Sequence, residues 1–278
     1  MLMPSFLAPS FPAVPILCGG FRSGQHVIDK MRATEEWARY VALADKTTME
    51  AAELAGAAMR QAFFDIDAEM KLRPEVVSGE DQSGCTAIAA IVSPTHTIVA
   101  NAGDSRGILA KNGGTIPMSF DHKPTAKIET ERIEKAGGCV SMRRVNGDLA
   151  VSRALGDFSY KQSDHLSAAE QQVSAEADIK IEERDGTEEF LVICCDGIWD
   201  VMENEEVGDY VRQNVKNFET KDTPLSQASC DLIDTCLVKG SRDNMSAIVV
   251  AYMDKGAAQI ATDPKKHEQI LTEENDAE

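Results

Sequence analysis

The chain has no CxxC pair, no HExxH, no Walker loop, no GxGxxG and no GxSxG. Their absence leaves no signal for a zinc ribbon, a zincin, a P-loop NTPase, a dinucleotide-binding domain or an α/β-hydrolase. Basic residues are the minority, 28 Lys and Arg against 46 Asp and Glu, for a formal net charge of −18. That balance repels nucleic-acid phosphates and anionic membranes, so no nucleic-acid or membrane partner is expected. No apolar run is long enough to span a bilayer. The seven cysteines (18, 85, 139, 194, 195, 230 and 236) are odd in number. They form no disulfide framework and point to a reducing compartment, hence an intracellular protein of the cytoplasm, the nucleus or both. Residues 1–20 are apolar but lack a basic start and are broken by Pro4, Pro9, Pro12 and Pro15, a poor match to a signal peptide.

What remains is ordinary globular composition, 43 % hydrophobic and 27 % charged over 278 residues, enough for one large domain with a sizeable core. The acidic excess suits either a protein that gathers divalent cations or a surface kept soluble, and charge alone does not choose. From Gln25 to Arg73 apolar residues recur at helical spacing, predicting two amphipathic helices. From Cys85 the period shortens to β-rich runs, with Asn112-Gly113 and Asn146-Gly147 as hairpin signals. Helices are expected over 125–136, 203–217 and 224–238, strands over 189–195 and 246–253, and a short helix after Pro264. Strand groups interleaved with helix pairs give an α+β layered fold.

Three aspartates follow apolar runs and sit beside small residues: Asp104 in NAGDSR, Asp196 in CCDGIWD and Asp243 in SRDNMS. Singly each reads as an Asx-turn or helix cap. As a set, with Asp200 close to Asp196, they make a site for hard cations such as Mg²⁺ or Mn²⁺. Cys236 and Arg242 have the spacing of a cysteine phosphatase, but Cys236 lies on the apolar face of its helix and the loop holds one glycine. Asp65 and Asp67 fall mid-helix and read as a solvated face. His122 reads as a loop organiser, and Cys194 and Cys195 as core.

In order, SGCTA (83–87), NAGDSR (101–106), DHKP (121–124), ERIEKAGG (131–138), RVNGDLAVSRALGD (144–157), CDGIWD (195–200) and GSRDNMSAIVV (240–250) resemble the metal-dependent type-2C protein serine/threonine phosphatases, the PPM family. The resemblance implies a four-layer α-β-β-α sandwich of two antiparallel sheets flanked by helix pairs. It implies two Mn²⁺ or Mg²⁺ ions that activate a water to attack phosphoserine or phosphothreonine in phosphorylated protein substrates. Position by position, Asp196 and Asp243 match metal ligands, and Asp104 a ligand of a weaker third metal. Asp200 and Asn244 match supporting residues, and 158–175 a flap beside the site. A monomer is expected.

One segment departs from the family. Where its members carry Asp-Gly-His-Gly-Gly, residues 13–20 read AVPILCGG and place Ile16, Leu17 and Cys18 at the catalytic Asp, Gly and His. Nothing before them matches the family's phosphate-binding arginine or its acidic pair. Residues 1–20 are therefore read as an atypical proline-rich N-terminus, 21–254 as the phosphatase domain and 255–278 as an acidic, polar tail. The expected activity of such a chain is low. Either the catalytic strands are missing or replaced, or the protein is a pseudophosphatase that binds or regulates phosphoproteins; retention of every later site position favours the former.

Overall fold

The computed structural model describes residues 13–17, 24–215 and 225–252. Its strands are β1 (Ala13–Leu17), β2 (Gly84–Cys85), β3 (Ala87–Val92), β4 (His96–Ala102), β5 (Arg106–Lys111), β6 (Gly114–Pro117), β7 (Val140–Ser141), β8 (Arg144–Val145), β9 (Leu155–Gly156), β10 (Asp178–Glu183), β11 (Glu188–Cys194) and β12 (Ala247–Ala251). The helices are α1 (Gly24–Ala33), α2 (Glu35–Ala42), α3 (Met49–Lys71), α4 (Pro74–Val77), α5 (Lys127–Lys135), α6 (Asp196–Trp199), α7 (Asn204–Val215) and α8 (Leu225–Val238). Among the described residues two four-stranded antiparallel sheets form, in the orders β1-β3-β4-β10 and β12-β11-β5-β6, beside the two-stranded pairs β2-β9 and β7-β8.

Alternation along the strands builds the layers, because successive side chains point to opposite faces. In β3, Ala87, Ala89 and Ile91 face α1–α3, while Ile88 and Ala90 enter the layer between the sheets. In β11, Phe190, Val192 and Cys194 pack with α6–α8, while Leu191 and Ile193, with Leu109 beside them on β5, meet Ile88 and Val99 from across the sandwich. Strands buried on both faces read as near-continuous apolar runs, as EFLVIC does. The outcome is the expected α-β-β-α sandwich. Gly56 of α3 lets that helix lie close to the first sheet, since a Cβ there would stand 2.6 Å from Ile179 Cγ2.

Several details differ from the sequence expectations. The first helical region divides at Thr34, whose hydroxyl accepts from Trp37 N and caps α2. Asn112 and Gly113 both have positive φ and turn β5 into β6, as expected. Asn146-Gly147 is also a left-handed turn, but the β7–β8 hairpin turns on Met142 and Arg143, at φ 50° and 64°. Asp67 is not on a solvated face. It is buried and accepts from Gly156 N and Lys161 Nζ, each at 2.7 Å. Lys161 lies 94 positions away in the segment 158–175, and a cleft of about 280 Å³ lies between α3 and that segment, lined in part by Phe64, Lys71, Phe158 and Leu166. Cys18 and the helix expected after Pro264 fall outside the described residues.

Candidate metal and phosphate site

Strand register brings the three aspartates to one end of the sandwich. In the first sheet Leu17, Ala87 and Ala102 form one row, and Asp104 follows Ala102 by two residues. In the second, Arg106, Cys194 and Ala247 form one row. Asp104 precedes Arg106 by two residues, Asp196 follows Cys194 by two, and Asp243 precedes Ala247 by four. Residues 103–105 are also where the chain crosses from the first sheet to the second. Asp200 closes α6, its N–H bonding Asp196 O at 2.8 Å. Ile16 and Leu17 occupy the end of β1, in register with Ile88 and Ala87.

Asp196 opens α6 directly after β11. Its carboxyl is pushed above the usual carboxylate range, first by burial and then by repulsion from Asp104, Asp243 and Asp200, with Lys123 the opposing charge. Asp104 is almost fully buried, and Lys123 Nζ donates to its Oδ2 at 2.5 Å. Arg106 grips Asp121 with Nε and Nη2 at 2.5 and 3.0 Å. Sequence reasoning missed Lys123 as a partner of Asp104; its position within DHKP was the available signal.

Asp196 and Asp243 lie on segments that interlock. Cys195 Sγ donates to Asn244 O at 3.3 Å and accepts from Ser246 N at 3.1 Å. Ser241 Oγ donates to Gly197 O at 2.7 Å, and Gly197 approaches so closely that a Cβ would sit 2.6 Å from Asn244 O. Asn244 N donates to Asp243 Oδ1 at 2.7 Å, fixing that carboxylate. Cys195 thus does more than fill the core.

The donors are all carboxylate oxygens, close enough to repel, with one lysine offsetting them. In charge and chemistry this fits a hard divalent cation. Among the described residues, no three His, Cys, Asp or Glu side chains stand close enough to share one ion as they are. Among those residues, too, no helix is long and apolar enough to cross a membrane.

The sequence profile described as protein phosphatase 2C matches residues 23–245. The chain is 44 % identical to bovine (Bos taurus) protein phosphatase 1A over 214 residues, 77 % of this chain and 54 % of that protein. It is 46 % identical to protein phosphatase 1B of Mus musculus over 194 residues, 70 % of this chain and 49 % of that protein. It therefore spans about half the length of the curated relatives it matches. A serine-threonine phosphatase 2C from Toxoplasma gondii shares the fold at a TM-score of 0.69 and 18 % identity, covering 82 % of this chain and 79 % of that one. A sex-determining protein of C. elegans does so at 0.66 and 22 %, covering 90 % and 58 %. Nothing in these comparisons favours the pseudophosphatase alternative.

Proposed function

Since this chain belongs to the protein phosphatase 2C family, we propose that its acidic end is the site of a metal-dependent protein serine/threonine phosphatase. Its substrates are then phosphoserine and phosphothreonine proteins. The observation that carries this reading is the convergence of Asp104, Asp196 and Asp243 at one end of the sandwich, where burial first and the neighbouring carboxylates second raise the Asp196 carboxyl. Asp196 and Asp243 are the proposed ligands of two Mn²⁺ or Mg²⁺ ions, and Asp104 joins Asp196 at a weaker third. Such ions lower the pKa of a bound water and offset charge on the phosphoryl group.

The chain's own residues prepare the place. The Cys195 and Ser241 contacts set the approach of the Asp196 and Asp243 segments, Asn244 N–H holds the Asp243 carboxylate, and Lys123 orients Asp104. Asp200 supports the site from the end of α6. Ile16 brings no carboxylate to the strand position of the family's Asp, so turnover by this chain is expected to be slow. Loss of one charge-stabilising group costs about 10²–10³ in rate. The phosphatase domain is assigned to 21–254, between the proline-rich 1–20 and the tail 255–278, in an intracellular monomer.

The test is phosphate release from a phosphothreonine peptide with Mn²⁺, with chelator and with Asp196→Asn. Weak release that needs both Mn²⁺ and Asp196 is expected. Release that survives chelation and Asp196→Asn alike would overturn the reading.

A further inference from the structure

The segment 119–123 runs beside the loop 101–107 and holds it residue by residue. Ser119 Oγ accepts from Gly107 N at 2.9 Å, Phe120 O accepts from Asn101 Nδ2 at 3.3 Å, Asp121 holds Arg106, and Lys123 holds Asp104. His122 takes Gly103 from both sides. Its backbone N–H donates to Gly103 O at 3.0 Å, and its ring Nδ1 accepts from Gly103 N–H at 3.0 Å. Gly103 has φ +123°, and a Cβ there would stand 2.3 Å from Thr86 Cγ2. The residue before Asp104 is therefore held without a side chain of its own, by an imidazole from another segment.

The ring is fixed at its far end as well. A backbone N–H can only donate, so Nδ1 carries a lone pair and the ring proton sits on Nε2, 3.1 Å from Asp178 Oδ2. Asp178 Oδ1 accepts from Arg153 Nη1 at 2.8 Å. Arg153 Nη2 reaches Glu129 Oε1 at 2.7 Å, and Glu129, fully buried, also accepts from Arg132 Nη1 and Ser152 Oγ. Ser152 N donates to His122 O at 2.9 Å, closing the circuit. His122 itself is 4 % exposed.

We infer that His122 is a positioning residue for Asp104. The Asp178–Arg153–Glu129 network selects its tautomer and ring orientation. Nδ1 then sets the Gly103–Asp104 peptide and, with it, the angle at which the Asp104 carboxylate enters the acidic end. The value of that angle for metal binding rests on the function proposed above; the structural claim does not.

Two variants separate positioning from space-filling. His122→Asn keeps an acceptor near Nδ1 and gives up the link to Asp178. His122→Gln keeps an amide near Nε2 and gives up the acceptor for Gly103. The first measurement is hydrogen exchange of the Gly103 amide in the full metal-free chain, with melting temperatures alongside. Slow exchange is expected in the wild type and His122→Asn, and about tenfold faster exchange in His122→Gln, the effect of one lost hydrogen bond. The two variants should melt alike. Equal exchange in all three proteins, or equal loss in both variants, overturns the inference.

The second measurement is Mn²⁺ titration by calorimetry. His122→Gln should weaken binding 10–100-fold and His122→Asn should not, as for partners that orient a ligand. Should the wild type take up no Mn²⁺ that Asp243→Asn removes, the metal-site reading falls, and exchange at Gly103 alone decides the role of His122.

Discussion

Gly197→Ala tests how the two aspartate-bearing segments are held together. The added methyl carbon would lie 2.6 Å from Asn244 O and 2.9 Å from Met245 Cγ. The methionine can swing away, but the oxygen belongs to backbone that also accepts from Cys195 Sγ. It sits about 0.8 Å inside the 3.4 Å at which ordinary contact begins. Overpacking of this kind costs about 1–3 kcal/mol. Against it stands up to about 1 kcal/mol gained when alanine replaces glycine in a helix. A net loss of about 1–2 kcal/mol follows, or a fall in melting temperature of roughly 2–8 °C for a domain this size. Because relief must come from moving residues 243–245 away from α6, the rise in melting temperature on adding Mn²⁺ should shrink as well. The control is Gly107→Ala on β5, where the nearest atoms are 3.6 Å away and a methyl group fits. Scanning calorimetry with and without Mn²⁺ reads both. A Gly197→Ala protein that melts at or above the wild type, with its Mn²⁺ response intact, refutes the close approach as the device that spaces Asp196 and Asp243.

Asp67→Ala leaves Lys161 charged and buried without its carboxylate, and breaking a buried pair costs about 3–5 kcal/mol, so the urea midpoint should drop sharply; a loss under about 1 kcal/mol would show that the lysine finds another partner. Replacing Met142-Arg143 by Asn-Gly supplies residues suited to positive φ at both turn positions and should raise stability by about 1 kcal/mol, read from the same urea curves; an unchanged midpoint would mean the turn relaxes at no cost. The Asp178 carboxyl is held down at about 2, chiefly by its hydrogen bond to His122 and also by the Arg153 charge. Its folded-state value lies below its unfolded one, so its contribution is complete above the usual 3.8 and is lost as pH falls from there towards 2. The stability gap between wild type and Asp178→Asn should therefore close across that window, and a gap constant down to pH about 2 would contradict the pairing.

The layering of strands and helices was legible because apolar runs and turn signals are local properties, while the four-layer sandwich itself came from the resemblance carried by the ordered motifs. Ala87–Val92 and Glu188–Cys194 declare doubly buried strands without reference to anything else. The aspartate set was legible too, since strand ends beside small residues mark where side chains can converge. Burial of Asp67 was not, because it depends on Lys161 and on Gly156 N, about 90 residues away in sequence. The turn at Met142-Arg143 escaped notice because neither residue carries a preference for positive φ; the hairpin's pairing imposes that conformation. Lys123 stood in plain view within DHKP. Its contact with Asp104 arises only when two segments about 20 residues apart are laid side by side.

The order of the sheets also sets a timetable. The first sheet needs nothing beyond Glu183, whereas the second takes β5 and β6 early and waits for β11 and then β12, which ends at Ala251. At ribosomal speeds of about 5–20 residues per second, roughly 3–14 s separate emergence of the two end points. During that interval Asp104 is already placed by the finished sheet, while Asp196 and Asp243 have yet to be brought beside it. A nascent chain of this protein thus holds Asp104 paired with Lys123 but without Asp196 and Asp243, and the cation capture proposed above belongs to the finished domain.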